Sequence, residues 1–225
     1  RRGIAVRRSR QLPIEALAPY LVDVPHPGHL PPDAPALATS PPIAWRELFG
    51  NEHPVEIEVG FGKGLFLLTQ GPARPLTNFF GIEIERKYVL HTASRLARLN
   101  TPNVKLACTD ARWLFKERIA AGSVKVVHVY FPDPWWKKRH KKRKLLTRDF
   151  AEQCVRVLQT GGHLHFATDV EDYFRESLEI LATVPGLRLL PGSEDVQPLT
   201  NFERKYRAEG RPIHRALFEK QTVFV

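Results

Sequence analysis

The chain has 225 residues, 43% of them apolar and 26% charged, the size and balance of a single soluble globular domain. Thirty-four Lys and Arg stand against 24 Asp and Glu, a net charge of +10, and this sign favours a polyanionic partner such as nucleic acid or an acidic membrane surface. No apolar run nears the ~20 residues of a membrane span, and Cys108 and Cys154 form neither a Cys-x-x-Cys pair nor a zinc spacing. The expectation is two reduced thiols in a cytoplasmic protein with no metal and no membrane contact.

Residues 1–43 read as a basic, proline-rich arm. RRGIAVRRSRQ carries the charge, and the prolines between Pro25 and Pro42 are too dense for a helix interior or a central strand. Residues 44–225 read as the domain proper. VEIEVGF is a first β-type run and GLFLLTQ opens a helix. NFFGIEIE is a second run, followed by ERKYVLHTASRLARL with apolar residues at helical spacing. NVKLACTD and the helix ARWLFKERI come next. VKVVHVYF is the fourth run and the most apolar. LLTRDFAEQCVRVLQ, GGHLHFATD and VEDYFRESLEILATV continue the alternation, and GLRLL reads as a sixth strand. TNFERKYRAEGRPIHR is polar and charged, and Thr200 and Glu203 have the spacing of a helix capping box, a helix start. ALFEKQTVFV closes the chain as a strand with no crossover helix before it, which suits antiparallel insertion. The fold expected is α/β: a Rossmann-like, mostly parallel seven-stranded sheet with an antiparallel last strand and helices on both faces.

In such a sheet the ligand lies at the carboxyl ends of the strands. The first end reads Glu58-Val59-Gly60-Phe61-Gly62-Lys63-Gly64. Its alternate glycines let the backbone approach a ligand, but the third comes one residue too early for the dinucleotide fingerprint G-x-G-x-x-G. Glu83 ends the second strand, where a carboxylate can accept from both ribose hydroxyls. Asp110 ends the third, suited to an adenine edge. With Glu58 placed for a cationic group, the set suits S-adenosylmethionine better than NAD, whose two phosphates only Lys63 and a helix N-terminus would answer.

EVGFGKG, GIEIE, TDA, VYFPDPWWKKRHKKRKLLT, ATD and TNFERKYRAEG, in this order, resemble the bacterial tRNA (guanine-N7-)-methyltransferases, a class I S-adenosylmethionine-dependent family. The resemblance covers roughly residues 45–225, and its most specific parts are FPDPW with the basic block and TNFE. It implies methyl transfer to guanine N7 at position 46 of the tRNA variable loop. It implies that Glu58, Glu83, Asp110 and Asp133 touch the cofactor, with Asp133 also catalytic. Lys137, Asp169, Thr200, Asn201, Phe202 and Glu203 would contact the substrate tRNA, the last four from a loop that grips the target nucleotide, and Arg139, His140, Lys141, Lys142, Arg143 and Lys144 would form the RNA-interacting strip. Trp135, where eukaryotic relatives usually have histidine, favours the bacterial form, which needs no protein partner, so a monomer or homodimer is expected.

Guanine N7 has a free lone pair and no proton to remove. A carboxylate at Asp133 would therefore orient the base and stabilise charge moving onto it, rather than act as a general base. Trp135 or Trp136 is placed to stack a base. Two other readings stand beside this one: a non-catalytic RNA-binding protein on a methyltransferase fold, and a methyltransferase acting on another nucleic-acid atom.

Overall fold

In Val55–Val59 the side chains alternate, with Val55, Ile57 and Val59 on one face and Glu56 and Glu58 on the other, yet all five residues are buried. A strand covered on both faces belongs in the middle of an α/β sheet. The structure, a computed structural model, describes residues 12–29, 41–135, 144–191 and 200–222. Its strands are β1 (Leu21–Val22), β2 (Val55–Val59), β3 (Asn78–Glu83), β4 (Val104–Cys108), β5 (Val124–Tyr130), β6 (Leu158–Thr168), β7 (Leu187–Leu190) and β8 (His214–Lys220). They form one sheet in the order β1-β4-β3-β2-β5-β6-β8-β7. β8 runs antiparallel to both neighbours, β6 and β7, and the other pairings are parallel.

The sheet has one more strand than the seven expected. The extra one, β1, comes from inside the proline-rich segment and pairs with the edge of β4. Lys105 Nζ donates to the Pro19 carbonyl at 2.6 Å and Thr109 Oγ1 to the Pro25 carbonyl at 2.7 Å, while Leu17 and Tyr20 are buried. A two-residue strand with prolines close behind it has no periodicity to read, so only its docking reveals it.

The helices are α1 (Ile14–Leu17), α2 (Trp45–Phe49), α3 (Leu65–Ala73), α4 (Arg86–Leu99), α5 (Ala111–Arg118), α6 (Arg148–Val157), α7 (Glu171–Ala182) and α8 (Asn201–Ala208). One core holds Val55, Ile57, Val59, Val127, Val129 and Phe166 under α5, α6 and α7. The other holds Phe79, Leu106, Tyr130 and Ala167 with Phe66 and Leu67 of α3 and Val89 and Leu96 of α4. The first half of the segment TNFERKYRAEGRPIHR is helical, correcting its reading as a loop. Thr200 Oγ1 accepts from the Glu203 amide at 3.0 Å, the N-cap bond that starts α8.

Among the described residues no helix is long and apolar enough to cross a membrane, and no group of three or more His, Cys, Asp or Glu is placed to hold a metal ion. Cys108 and Cys154 are both free thiols.

Candidate active site

The strand order sets β4, β3, β2, β5 and β6 side by side, and Asp110, Glu83, the glycine loop, Asp133 and Asp169 follow their carboxyl ends. At about 4.8 Å per strand, this row spans roughly 19 Å, enough for a nucleoside and a second base beside it. The row exists only because β2 sits between β3 and β5, which are far apart in sequence.

The glycine loop is bent tightly. Gly60, Gly62 and Gly64 have φ of 72°, 52° and 70°, a region that L side chains avoid. A Cβ on Gly64 would also lie 2.4 Å from Thr92 Cγ2 of α4, whereas one on Gly60 would meet nothing within 4 Å. The first two glycines thus leave open space above the backbone, and the third permits close packing of α3 on α4.

Glu83 is buried and doubly held. Oε2 accepts from the Gly62 amide at 2.9 Å and Oε1 from the Glu85 amide at 3.0 Å. It fixes the glycine loop and keeps its remaining lone pairs for a ligand. Glu58 is 3% exposed, and its Oε2 is buried with no hydrogen-bond partner. Burial, and then the Glu83 carboxylate, push the Glu58 carboxyl well above the usual range. A buried acid with an unpartnered oxygen beside a second acid is an uncompensated group of the kind that a cationic ligand would answer.

Glu56, two residues away on the same face, is answered from within the chain. Its Oε2 accepts from Arg74 Nη2 at 2.5 Å and lies 2.9 Å from His128 Nε2, while His128 Nδ1 lies 2.9 Å from Tyr130 Oη. Burial lowers His128 below the usual histidine range, so the neutral ring donates from Nε2 to Glu56 and accepts the Tyr130 proton at Nδ1. This buried string under Phe66 was not legible in the sequence, where Glu56 and His128 are 72 residues apart.

Asp110 caps α5. Oδ1 accepts from the Arg112 amide at 2.8 Å, and the two side chains pair at 2.6 Å. Asp133 is exposed, in a loop whose flanking residues Phe131 and Trp135 both have positive φ, 49° and 44°. Left-handed backbone costs a non-glycine residue about 1–2 kcal/mol, and that cost is met where Phe131 is tied down. Its amide donates to the Ala167 carbonyl at 2.7 Å, and its ring packs 5.6 Å from Tyr206 and 6.2 Å from Phe202 of α8. Lys137, Arg139, His140, Lys141, Lys142 and Arg143, with Trp136, lie outside the described residues. Lys144 pairs with Glu176 and sits 5.4 Å over the Tyr173 ring. Burial pushes the Tyr173 hydroxyl up to about 12, and the Glu176 and Asp133 carboxylates push it the same way.

α8 returns over this edge. Phe202, 49% exposed, comes within 4.0 Å of the Cβ position of Gly62, so TNFE meets the glycine loop across some 140 residues of chain. The two acids on this side are paired with arginines. Asp169 pairs with Arg211, which stacks 4.2 Å over Tyr206. Glu203, its side chain 1% exposed, pairs with Arg207 at 2.9 Å and with Arg215. These arginines were not singled out in the sequence; their spacing of four residues was the available signal.

A family model described as "Putative methyltransferase" matches residues 52–216. The chain is 46% identical over 204 residues to a tRNA (guanine-N(7)-)-methyltransferase of Rhodopirellula baltica, covering 85% of this chain and 73% of that one. It is 34% identical over 206 residues to a protein of the same name from Geobacter metallireducens, covering 89% and 96%. Among solved structures it is similar to the antibiotic-resistance methyltransferase Kmr, with TM-score 0.58, 19% identity and coverage of 79% and 92%. It is also similar to the aminoglycoside resistance methyltransferase NpmB1, with TM-score 0.56, 18% identity and coverage of 77% and 91%. At these identities the structural likenesses speak to the fold alone.

Proposed function

The chain belongs to the tRNA (guanine-N(7)-)-methyltransferase family, and we propose that it methylates N7 of guanine in tRNA, at position 46 of the variable loop, using S-adenosylmethionine. The observation that carries the reading is the row of acids at the sheet edge, with the buried Glu58 Oε2 left without a partner over an open glycine cradle.

S-adenosylmethionine, when bound, supplies a methyl group on a positively charged sulfur. The residues present fit it. Glu58 meets an ammonium group, and Glu83 offers lone pairs to ribose hydroxyls from a carboxylate already held by two amides. Asp110, at the next strand end, borders the adenine. Gly60 and Gly62 let the backbone come close without a Cβ in the way.

The guanine is placed from the other side of β2. N7 carries a lone pair and no proton, so no side chain has to remove one. Asp133 accepts from the guanine N1–H and 2-amino groups, which selects guanine over adenine, and it stabilises the positive charge that grows on the ring. Pro132 and Pro134, with the anchored Phe131, stiffen the loop so that this carboxylate needs little reorganisation. Asn201 and Phe202 on α8 touch the target nucleotide, and Trp135 offers a stacking face worth about 1–3 kcal/mol. Thr200, Asp169 and Glu203 act one step back, the first as the cap and the others as anchors of the arginines. Lys137 and residues 139–143 hold phosphates, while Lys144 is held by Glu176; about four contacts give a slope of log affinity against log salt near −3 to −4. The enzyme acts in the cytoplasm as a monomer or homodimer without an obligate protein partner.

The test is labelled methyl transfer to tRNA lacking the modification, followed by nucleoside identification and mapping of the methylated residue. 7-Methylguanosine at position 46 is expected. Another methylated nucleoside overturns the reading, and 7-methylguanosine elsewhere overturns the position.

A further inference from the structure

A cavity of about 580 Å³ opens beside the carboxyl end of β6, lined by Phe174, Arg207, Arg211, Ile213, His214 and Arg215. Five of the six lie in the stretch TNFERKYRAEGRPIHR, but none is among the individual site residues the sequence points to. His214 opens β8 opposite Thr168, so the cavity borders the edge that carries Asp169. Arg207, Arg211 and Arg215 recur at every fourth residue, from α8 through the following turn into β8. Their carboxylate partners are Glu203, shared by Arg207 and Arg215, and Asp169, which takes Arg211. Glu209 adds a contact 3.9 Å from Arg211 and another 3.7 Å from Lys205. Three arginines of the lining stand against these three carboxylates, with Lys205 outside the lining, so the wall is balanced in charge. A guanidinium carries five N–H donors in a rigid fork, more than one carboxylate oxygen takes up, so these arginines can serve a second anion.

The rest of the lining is not what phosphate alone requires. His214 stacks on Phe174 at 5.3 Å and 29°. Its Nε2 is buried with no hydrogen-bond partner, a cost that a ligand polar group would remove. Phe174 is backed in turn by Phe166 at 5.9 Å. Guanidiniums at the rim, an aromatic wall and an unpaired ring nitrogen make a mixed lining. The volume falls in the range of small-ligand pockets, roughly 300–1,000 Å³, and holds one nucleotide.

We propose that this cavity binds one nucleotide of the tRNA strand beside the target guanine. Its phosphate lies on Arg207 and Arg211, and its ribose or base reaches His214 Nε2 along Phe174. The proposal rests on the tRNA reading above and adds to it a second seat that holds the strand in register. Because Arg207 and Arg215 share Glu203, the seat is mechanically joined to α8, whose Phe202 lies over the glycine loop.

The test uses the full chain and an unmodified tRNA transcript. Binding is measured across a salt series for the wild type, Arg207→Gln, Arg207→Lys and His214→Phe, with calorimetric S-adenosylmethionine affinity and thermal midpoint recorded for each. Arg207→Gln should weaken tRNA binding about five- to tenfold near physiological salt and reduce the magnitude of the salt slope by about 0.7–0.9. Arg207→Lys should restore the slope but only part of the affinity. His214→Phe, which keeps the ring stack, should weaken binding several-fold with the slope unchanged. Cofactor affinity should stay within twofold throughout. Guanosine 5′-monophosphate should compete with tRNA in the wild type, guanosine should compete less, and the difference should vanish in Arg207→Gln. If the wild type methylates and binds tRNA while Arg207→Gln matches it in affinity and slope, the inference falls and the proposed function stands. If Arg207→Gln loses cofactor and tRNA binding together, the arginine is a structural brace and the inference also falls. If the wild type binds no tRNA, both fall.

Discussion

The two halves of the sheet edge use the same residue type in opposite ways. On the β2–β3 side, Glu58 and Glu83 are buried acids: two backbone amides hold Glu83, and Glu58 Oε2 has no hydrogen-bond partner. On the β6–α8 side, the half-buried Asp169 and the buried Glu203 are acids paired with arginines of the chain itself. A buried carboxyl with no cation of the chain beside it is left to be answered by a cationic or hydroxyl-bearing ligand. One neutralised by guanidinium has become a scaffold, and in the inference above the outer face of that guanidinium is what the substrate would meet. The contrast recurs within one strand, where Arg74 answers Glu56 and leaves Glu58 unanswered. Asp133 belongs to neither half: it is exposed, at the end of β5 between them.

Four experiments probe this contrast, the largest effect first. Glu203→Ala leaves the Arg215 guanidinium, its side chain 10% exposed, without its carboxylate. The expected loss is about 3–5 kcal/mol of stability, read as a fall in denaturation midpoint, and a change within error would show that Glu203 is not an anchor. Asp133→Asn keeps the shape but removes the charge. It should slow methyl transfer at saturating substrates by about 10²–10³-fold, or about 2.7–4 kcal/mol, with the fold stability unchanged.

Glu56 bears on the same contrast through pH. Burial opposes its charge, but His128 and Arg74 win and lower its pKa to about 2 from 4.5. A carboxyl whose folded pKa is depressed stabilises the protein above the unfolded value, and that contribution is lost as pH falls through the folded one. About 3 kcal/mol should therefore disappear between roughly pH 4.5 and 2 in the wild type, and Glu56→Gln should flatten that limb of the midpoint-against-pH curve. Glu58 has the opposite sign. Its raised pKa makes the ionised form a liability as pH rises, so Glu58→Gln should leave the ligand-free midpoint equal or slightly higher at neutral pH. The same change should weaken S-adenosylmethionine binding about tenfold, or about 1.4 kcal/mol. A lower midpoint with unchanged cofactor affinity would erase the distinction between the two glutamates.

Much of the fold was legible because a parallel sheet announces itself. Continuous apolar runs such as VKVVHVYF alternate with helical periods, and glycines or acids mark the strand ends where backbone must turn. The capping spacing of Thr200 and Glu203 was visible too, and α8 starts there, although the family resemblance implied a loop. β1 was not legible, since two residues carry no period and their pairing depends on the edge of β4 being free.

The sequence by itself determined the local conformations, the acids at the strand ends and the positive charge, because these follow from residue type and near-neighbour spacing. Only the tertiary structure decided what each acid does. Charge compensation depends on which cation lies within a few ångströms, and Glu203 and Arg215, 12 residues apart, meet only when α8 turns back into β8. Glu58 and Glu56, two residues apart, differ because the fold brings Arg74 and His128 to one of them and open space to the other.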